Sequence, residues 1–125
     1  MKQKVHSVSY LAKAEFEFEK GIYDLVALPS GAEVVKVSLE VSGAFVDGNI
    51  SVGFKDETEK DYFLVLDKNI FRNEEVVKTV TSTKDYTATS NKVIVAEVAN
   101  ATKVGDVKCV LRVLYFLPSV IEVEY

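Results

Sequence analysis

Apolar and polar residues alternate with period two through much of the chain, and the cleanest case lies within residues 23–54. Val35, Val37, Leu39 and Val41 fall on one side, while Lys36, Ser38 and Glu40 fall on the other. That is the mark of a half-buried β-strand. Pro29-Ser30-Gly31 precedes the run as a turn, because proline presets φ at the second turn position and glycine suits the fourth. Asp47-Gly48 follows it and predicts a tight hairpin loop, since a type I′ turn needs positive φ at both central residues. Ile50, Val52 and Phe54 then alternate again. The expected nucleus is therefore strand, Pro-Gly turn, long strand, tight loop, strand.

The same period recurs on both sides. Glu15-Phe16-Glu17-Phe18-Glu19 alternates strictly; a helix would splay the two phenylalanines, whereas a strand puts them on one face. Gly21 ends that run, and residues 22–28 open the nucleus. Residues 55–61 read as a charged hairpin loop and 62–66 as a short buried strand. Residues 67–75 allow a helical turn with Asp67 as N-cap. Residues 76–81 read as strand, and the hydroxyl-rich 79–91 as an exposed edge strand or a long surface loop. A strand with apolar residues on both faces spans 92–98, a turn 100–105, and the longest strand 107–117, ended by Pro118. Residues 120–125 form a short extended tail. About eight to nine strands with turn signals every 8 to 12 residues or so predict an all-β, mostly antiparallel, jelly-roll-like β-sandwich. Residues 15–125 make up that single domain, and residues 1–14 are either an arm or a first strand built on Val5, Val8 and Tyr10.

The strand at 107–117 says more than the others. Val107, Cys109, Leu111, Val113, Tyr115 and Leu117 make one wholly apolar face. The opposite face, Lys108, Val110, Arg112, Leu114 and Phe116, is apolar in its second half. A sandwich strand in a monomer has one wet face. Two readings follow: a loop or the N-terminal arm covers this face, or Val110, Leu114 and Phe116 form a subunit interface.

Composition narrows the chemistry. At 125 residues with 48% hydrophobic content the chain can bury a core. Its apolar runs are far shorter than the ~20 residues of a spanning helix, so no membrane association is expected. No apolar run follows the first lysines, so no secretory leader is expected. The one cysteine, Cys109, reads as a buried thiol, in keeping with synthesis in a reducing cytoplasm. A net charge of −4 disfavours general nucleic-acid binding. Residues 1–14 carry Lys2, Lys4 and Lys13 but no acid, whereas Glu122 and Glu124 lie near the other end.

Candidate catalytic groups are sparse. His6, the single histidine, makes a triad or a histidine-based metal centre improbable. Asp56, Glu57, Glu59 and Asp61 lack the ligand order of a calcium loop and are interleaved with Lys60. Glu15, Glu17 and Glu19 share a strand face that reads as solvated rather than as a glycosidase pair. No enzyme activity, no metal and no cofactor are expected.

The run Gly21-x-Tyr23-Asp24-Leu25-x-x-Leu28-Pro29-x-Gly31-Ala32-x-Val34-x-x-Val37-x-Leu39-x-Val41, followed by Ala44-Phe45 and a glycine-bearing hairpin, resembles small virion structural proteins of tailed bacteriophages. The nearest type is the capsid decoration, or cement, protein. The resemblance covers about a third of the chain and consists of turn and strand residues. It implies a jelly-roll or β-sandwich subunit, often a trimer, docked outside the shell against the major capsid protein and bridging capsomers. The subunit would be made in the host cytoplasm and reside in the virion. On that reading Val110, Leu114 and Phe116 close a homo-oligomer, and an arm with Lys2, Lys4, Val5, Val8 and Tyr10 contacts the capsid. A tail, fibre or neck component is the alternative among virion proteins. A carbohydrate- or ligand-binding sandwich is the alternative from another class.

Overall fold

A computed structural model of the chain describes residues 2–6, 8–43, 45–55, 60–67, 77–82, 84–103, 105–118 and 120–124. Among them are eleven strands: β1 (Lys2–His6), β2 (Ser9–Glu17), β3 (Gly21–Leu28), β4 (Glu33–Ser42), β5 (Phe45–Phe54), β6 (Leu64–Leu66), β7 (Val77–Thr81), β8 (Tyr86–Thr87), β9 (Lys92–Lys103), β10 (Lys108–Phe116) and β11 (Val120–Glu124). The count exceeds the expected eight to nine because residues 2–6 and 120–124 pair with each other and the hydroxyl-rich segment supplies two short strands. All pairings are antiparallel.

One sheet runs β2-β10-β4-β7, with β8 also on β4; the other runs β3-β9-β5-β6. Along the chain the strands pass back and forth between the two sheets, and this order is that of a jelly roll, two interlocked Greek keys. The expected hairpin nucleus is corrected at this point. β3, β4 and β5 alternate between the sheets, so the Pro-Gly turn and the loop after β4 arch across the sandwich rather than joining paired neighbours.

Asp47-Gly48 is not a turn. Both residues lie inside β5, where the register with β9 slips on either side of Asp47. Gly48 has φ +148°, and its N–H donates to Asp47 Oδ1 at 2.9 Å. A Cβ at position 48 would overlap Cζ of Phe18 and sit 3.1 Å from its Cε1. The glycine is there because the tip of an aromatic ring packs against its backbone, not because the chain reverses.

The alternation in β4 also slips once. Lys36 opposes Leu114 but Val34 opposes Tyr115, so Val35 is the extra residue of a bulge. Val34, Val37, Leu39 and Val41 are therefore buried and Val35 is 47% exposed, opposite to the inward placement expected for it. A bulge transposes every side chain beyond it.

Elsewhere the pattern holds. Phe16 and Phe18 are buried while Glu15, Glu17 and Glu19 are exposed. Val107 just before β10, and Cys109, Leu111 and Val113 on its inner face, are fully buried and pack with Val37, Leu39, Ile50, Val52 and Ile94 in one core. Each such side chain contributes about 1.5–3 kcal/mol by leaving water. The expected turn at 100–105 is mostly strand: β9 continues to Lys103, and Asn100 takes φ +55° within it. The helical turn expected at 67–75 falls, apart from Asp67, outside the described residues, as do Asp56, Glu57 and Glu59.

Candidate interaction surface

The two outer faces of the sandwich differ. On the β2-β10-β4 sheet the odd residues of β2, the even residues of β10 and, beyond the bulge, the even residues of β4 from Lys36 on face outward. The register lines up Leu11 with Leu114 and Lys36, Lys13 with Arg112 and Ser38, and Glu15 with Val110 and Glu40. Val110, Leu114 and Phe116 thus share this face with β2, each half-buried rather than covered. β10 is a central strand, so its neighbours on both sides shield part of each side chain.

Arg112 divides the face. Its Nη1 donates to Glu40 Oε2 at 2.9 Å, a diagonal cross-strand pair with both side chains about one-third exposed. Such a pair contributes at most about 1 kcal/mol. Beside it lies a shallow cleft of about 250 Å³ bounded by Leu11, Leu114, Lys36, Ser38 and Arg112. Its floor is aliphatic and two cations stand on its rim. It can accept an apolar side chain accompanied by an acid.

Phe116 is placed differently from Leu114. The ring of His6 meets it edge-on at 6.5 Å, and His6 Nδ1 lies 3.0 Å from the carbonyl oxygen of Leu117. The Leu117 N–H donates in turn to the carbonyl of Val8 at 2.9 Å. The N-terminal strand therefore leans on the Phe116 end of the face, while Leu114 has no such neighbour among the described residues.

The first residues are not a loose arm. β1 and β11 form a two-stranded ribbon whose register sets Lys2 against Glu124 and Lys4 against Glu122. The acid-free start of the chain thus runs alongside its acidic end. Lys4 is exposed, Val5 is 36% exposed and Val8 39%. Tyr10 belongs to β2 and is half-exposed, its ring edge-on to Tyr115 at 5.9 Å. Leu11, at 63%, is the most exposed large apolar residue among the described residues. Leu11 is not among the residues the sequence singles out, and Val35 is one it places on the inner face. The Tyr10-Leu11 pair at a strand start was a signal for the first, but nothing local marks the bulge that turns out Val35.

A second group was not foreseen. Phe54, Tyr62, Phe63 and Tyr86 stack on one another with ring centroids 4.4–5.5 Å apart, although 32 residues separate the first from the last. Lys84 Nζ stands 4.8 Å from the centre of the Tyr62 ring. Phe54 is fully buried, and Tyr62 and Tyr86 pack half-buried against the core beside it. Among the described residues no set of three His, Cys, Asp or Glu side chains is grouped as a metal site.

No protein-family model and no curated protein matches the chain. Solved structures do. Over the full length of both chains it is 68% identical, with a TM-score of 0.89, to a chain in the acidic stable capsid structure of Helicobacter pylori bacteriophage KHP30. A chain of the cyanophage Pam1 capsid asymmetric unit superposes with a TM-score of 0.67 at 20% identity, covering 90% of this chain and 87% of that one. A chain from the capsid of Ralstonia phage GP4 gives 0.58 at 13% identity, with 92% and 88% covered. The two distant likenesses carry the fold, whereas the first carries kinship. The chain belongs to the structural proteins of the bacteriophage virion, as a member of the capsid proteins.

Proposed function

We propose that the protein is a non-enzymatic decoration, or cement, protein that docks on the outside of a phage shell and stabilises it by bridging capsomers of the major capsid protein. The observation that carries this reading is the full-length kinship with a phage capsid chain, joined to a small sandwich that exposes several large apolar residues on and beside the β2-β10-β4 sheet. Val5, Val8, Tyr10, Leu11 and Val35 are all at least one-third exposed. They lie in β1, just before β2, in β2 and in β4.

Many copies of such a subunit hold a shell by multiplicity. Each contact can be weak, because closure into a trimer raises the effective concentration of the remaining contacts. Trimer closure takes a heterologous interface. Val110 and Leu114 on the open face offer one side of it, and Phe116 acts through the ribbon it supports. Lys2, Lys4, Val5, Val8 and Tyr10 then meet the capsid surface.

The test uses shells prepared without the protein. Purified protein added back should bind from outside, remain accessible to protease on intact shells, and raise the temperature of shell disruption. Leu114→Glu should leave the fold intact while lowering the native mass and the occupancy on shells. Protein that never binds preformed shells, or that binds without stabilising them, refutes the cement reading. An unchanged native mass for Leu114→Glu removes that face as the interface.

A further inference from the structure

We infer that the outer edge of β2 pairs with the same edge of a second copy, extending the β2-β10-β4-β7 sheet across a two-fold axis centred on Ala14. The edges of the sandwich are unequally protected. β6, β7 and β8 run three, five and two residues, and β3 is broken by a register shift between Asp24 and Val26. Short or bulged edges are how sheets avoid pairing with other chains. β2 has neither protection. It runs nine residues, pairs β10 at every position without a slip, and among the described residues is bonded on that side only.

The direction of the backbone groups is fixed by the two ends of the run. The Val8 carbonyl accepts from Leu117, and the Phe18 N–H donates to the Val107 carbonyl, so even positions face β10. Odd positions therefore turn their N–H and C=O to the open side. Glu17 spends its carbonyl on Glu19, which leaves Ser9, Leu11, Lys13 and Glu15 as the open ladder.

Side-chain charge selects the occupant and the register. Lys13, Glu15 and Glu17 are exposed, and none makes an ion pair among the described residues. Antiparallel pairing of two β2 edges centred on Ala14 sets Lys13 of each copy opposite Glu15 of the other, twice over, with Glu17 on the diagonal. Centring on Lys13 or on Glu15 instead would oppose like charges. At the axis Ala14 meets Ala14 in a non-hydrogen-bonded pair, where the Cα atoms stand about 4.5 Å apart and a small side chain fits. A second copy satisfies this edge, and a two-fold contact between copies would tie neighbouring subunits into a net.

The experiment is a cysteine cross-link on the purified full-length protein at high concentration, under mild oxidation. Native Cys109 is buried and does not compete. Ala14→Cys should give a disulfide-linked dimer, because that spacing falls within disulfide reach. Ala12→Cys, on the same face of the same strand, should not, since the two residues would lie about 13 Å apart. Lys13→Glu in the Ala14→Cys background should cut the dimer roughly tenfold, and adding Glu15→Lys should restore it. Thermal melts of each variant establish that it folds. Equal cross-linking at positions 12 and 14, no cross-linking at 14, or indifference to the charge exchange would each overturn the inference. Capture of a different virion protein by position 14 would overturn the choice of occupant.

Discussion

Gly48 is the residue at which a turn and a packing contact make opposite predictions. Its backbone has φ +148°, and a Cβ would overlap Phe18 Cζ while reaching 3.3 Å from Ala101 Cα. Phe18 is 1% exposed and cannot swing into solvent without opening the core. Gly48→Ala therefore carries an overpacking cost of about 1–3 kcal/mol. Forcing an L-residue into that backbone region adds about 1–3 kcal/mol. The sum, about 2–6 kcal/mol, is a large part of a typical domain's stability. With an m-value of about 2 kcal/mol/M, the urea midpoint should fall by about 1–3 M. Gly48→Asn separates the two explanations, because asparagine is favoured in a type I′ turn but is larger than alanine against the ring. It should be at least as damaging as alanine. Phe18→Leu combined with Gly48→Ala should recover the steric part, giving a coupling well beyond the ~0.5 kcal/mol expected of independent sites. A Gly48→Asn variant as stable as the parent, or an additive double mutant, would refute the packing argument.

Three further outcomes follow from the same structure. Burial, assisted by the nearby Glu17 carboxylate, pushes the Cys109 thiol up from its ordinary 9.0 to about 12. Since the folded state disfavours the thiolate, this contribution is complete below pH 9 and is lost as pH rises from 9 towards 12. It amounts to a few kcal/mol, on the order of 4. Urea titrations at pH 8 and 11 should show the loss, and Cys109→Val should remove its pH dependence; a thiol alkylated by iodoacetamide at pH 8 in the folded protein would contradict the burial. Deleting residues 1–7 leaves β2 whole but strips β11 of its partner and Phe116 of the His6 ring. The truncated chain should melt as a sandwich with modestly lower stability, bind shells weakly, and expose residues 120–124 to protease; unimpaired shell binding would exclude the ribbon from docking. Arg112→Ala should cost no more than about 1 kcal/mol, because its pair with Glu40 is solvated. A loss above about 2 kcal/mol by denaturant titration would mean that the pair is structural.

The legible part of this protein was everything governed by local alternation. Phe16 and Phe18 on one face, the buried row of β10, and the all-β character follow from period two, because a strand sends successive side chains to opposite sides. The half-apolar outer face at Val110, Leu114 and Phe116 was legible for the same reason. Periodicity contains no information about which strand lies beside which. That β3, β4 and β5 belong alternately to two sheets, and that residues 2–6 pair with 120–124, are long-range choices made by packing the whole core. The bulge at Val35 arises from a mismatch with Tyr115, some eighty positions away in the chain, and no local feature of β4 records it. Gly48 shows the same division. Its identity suggested freedom at φ, but the use of that freedom, to admit a phenylalanine ring from the segment just after β2, was decided only when the two segments met. The sequence by itself determined which faces are apolar. The tertiary structure determined which of those faces the chain covers and which edge it leaves open, because only closure of the sandwich assigns each face and each edge a neighbour.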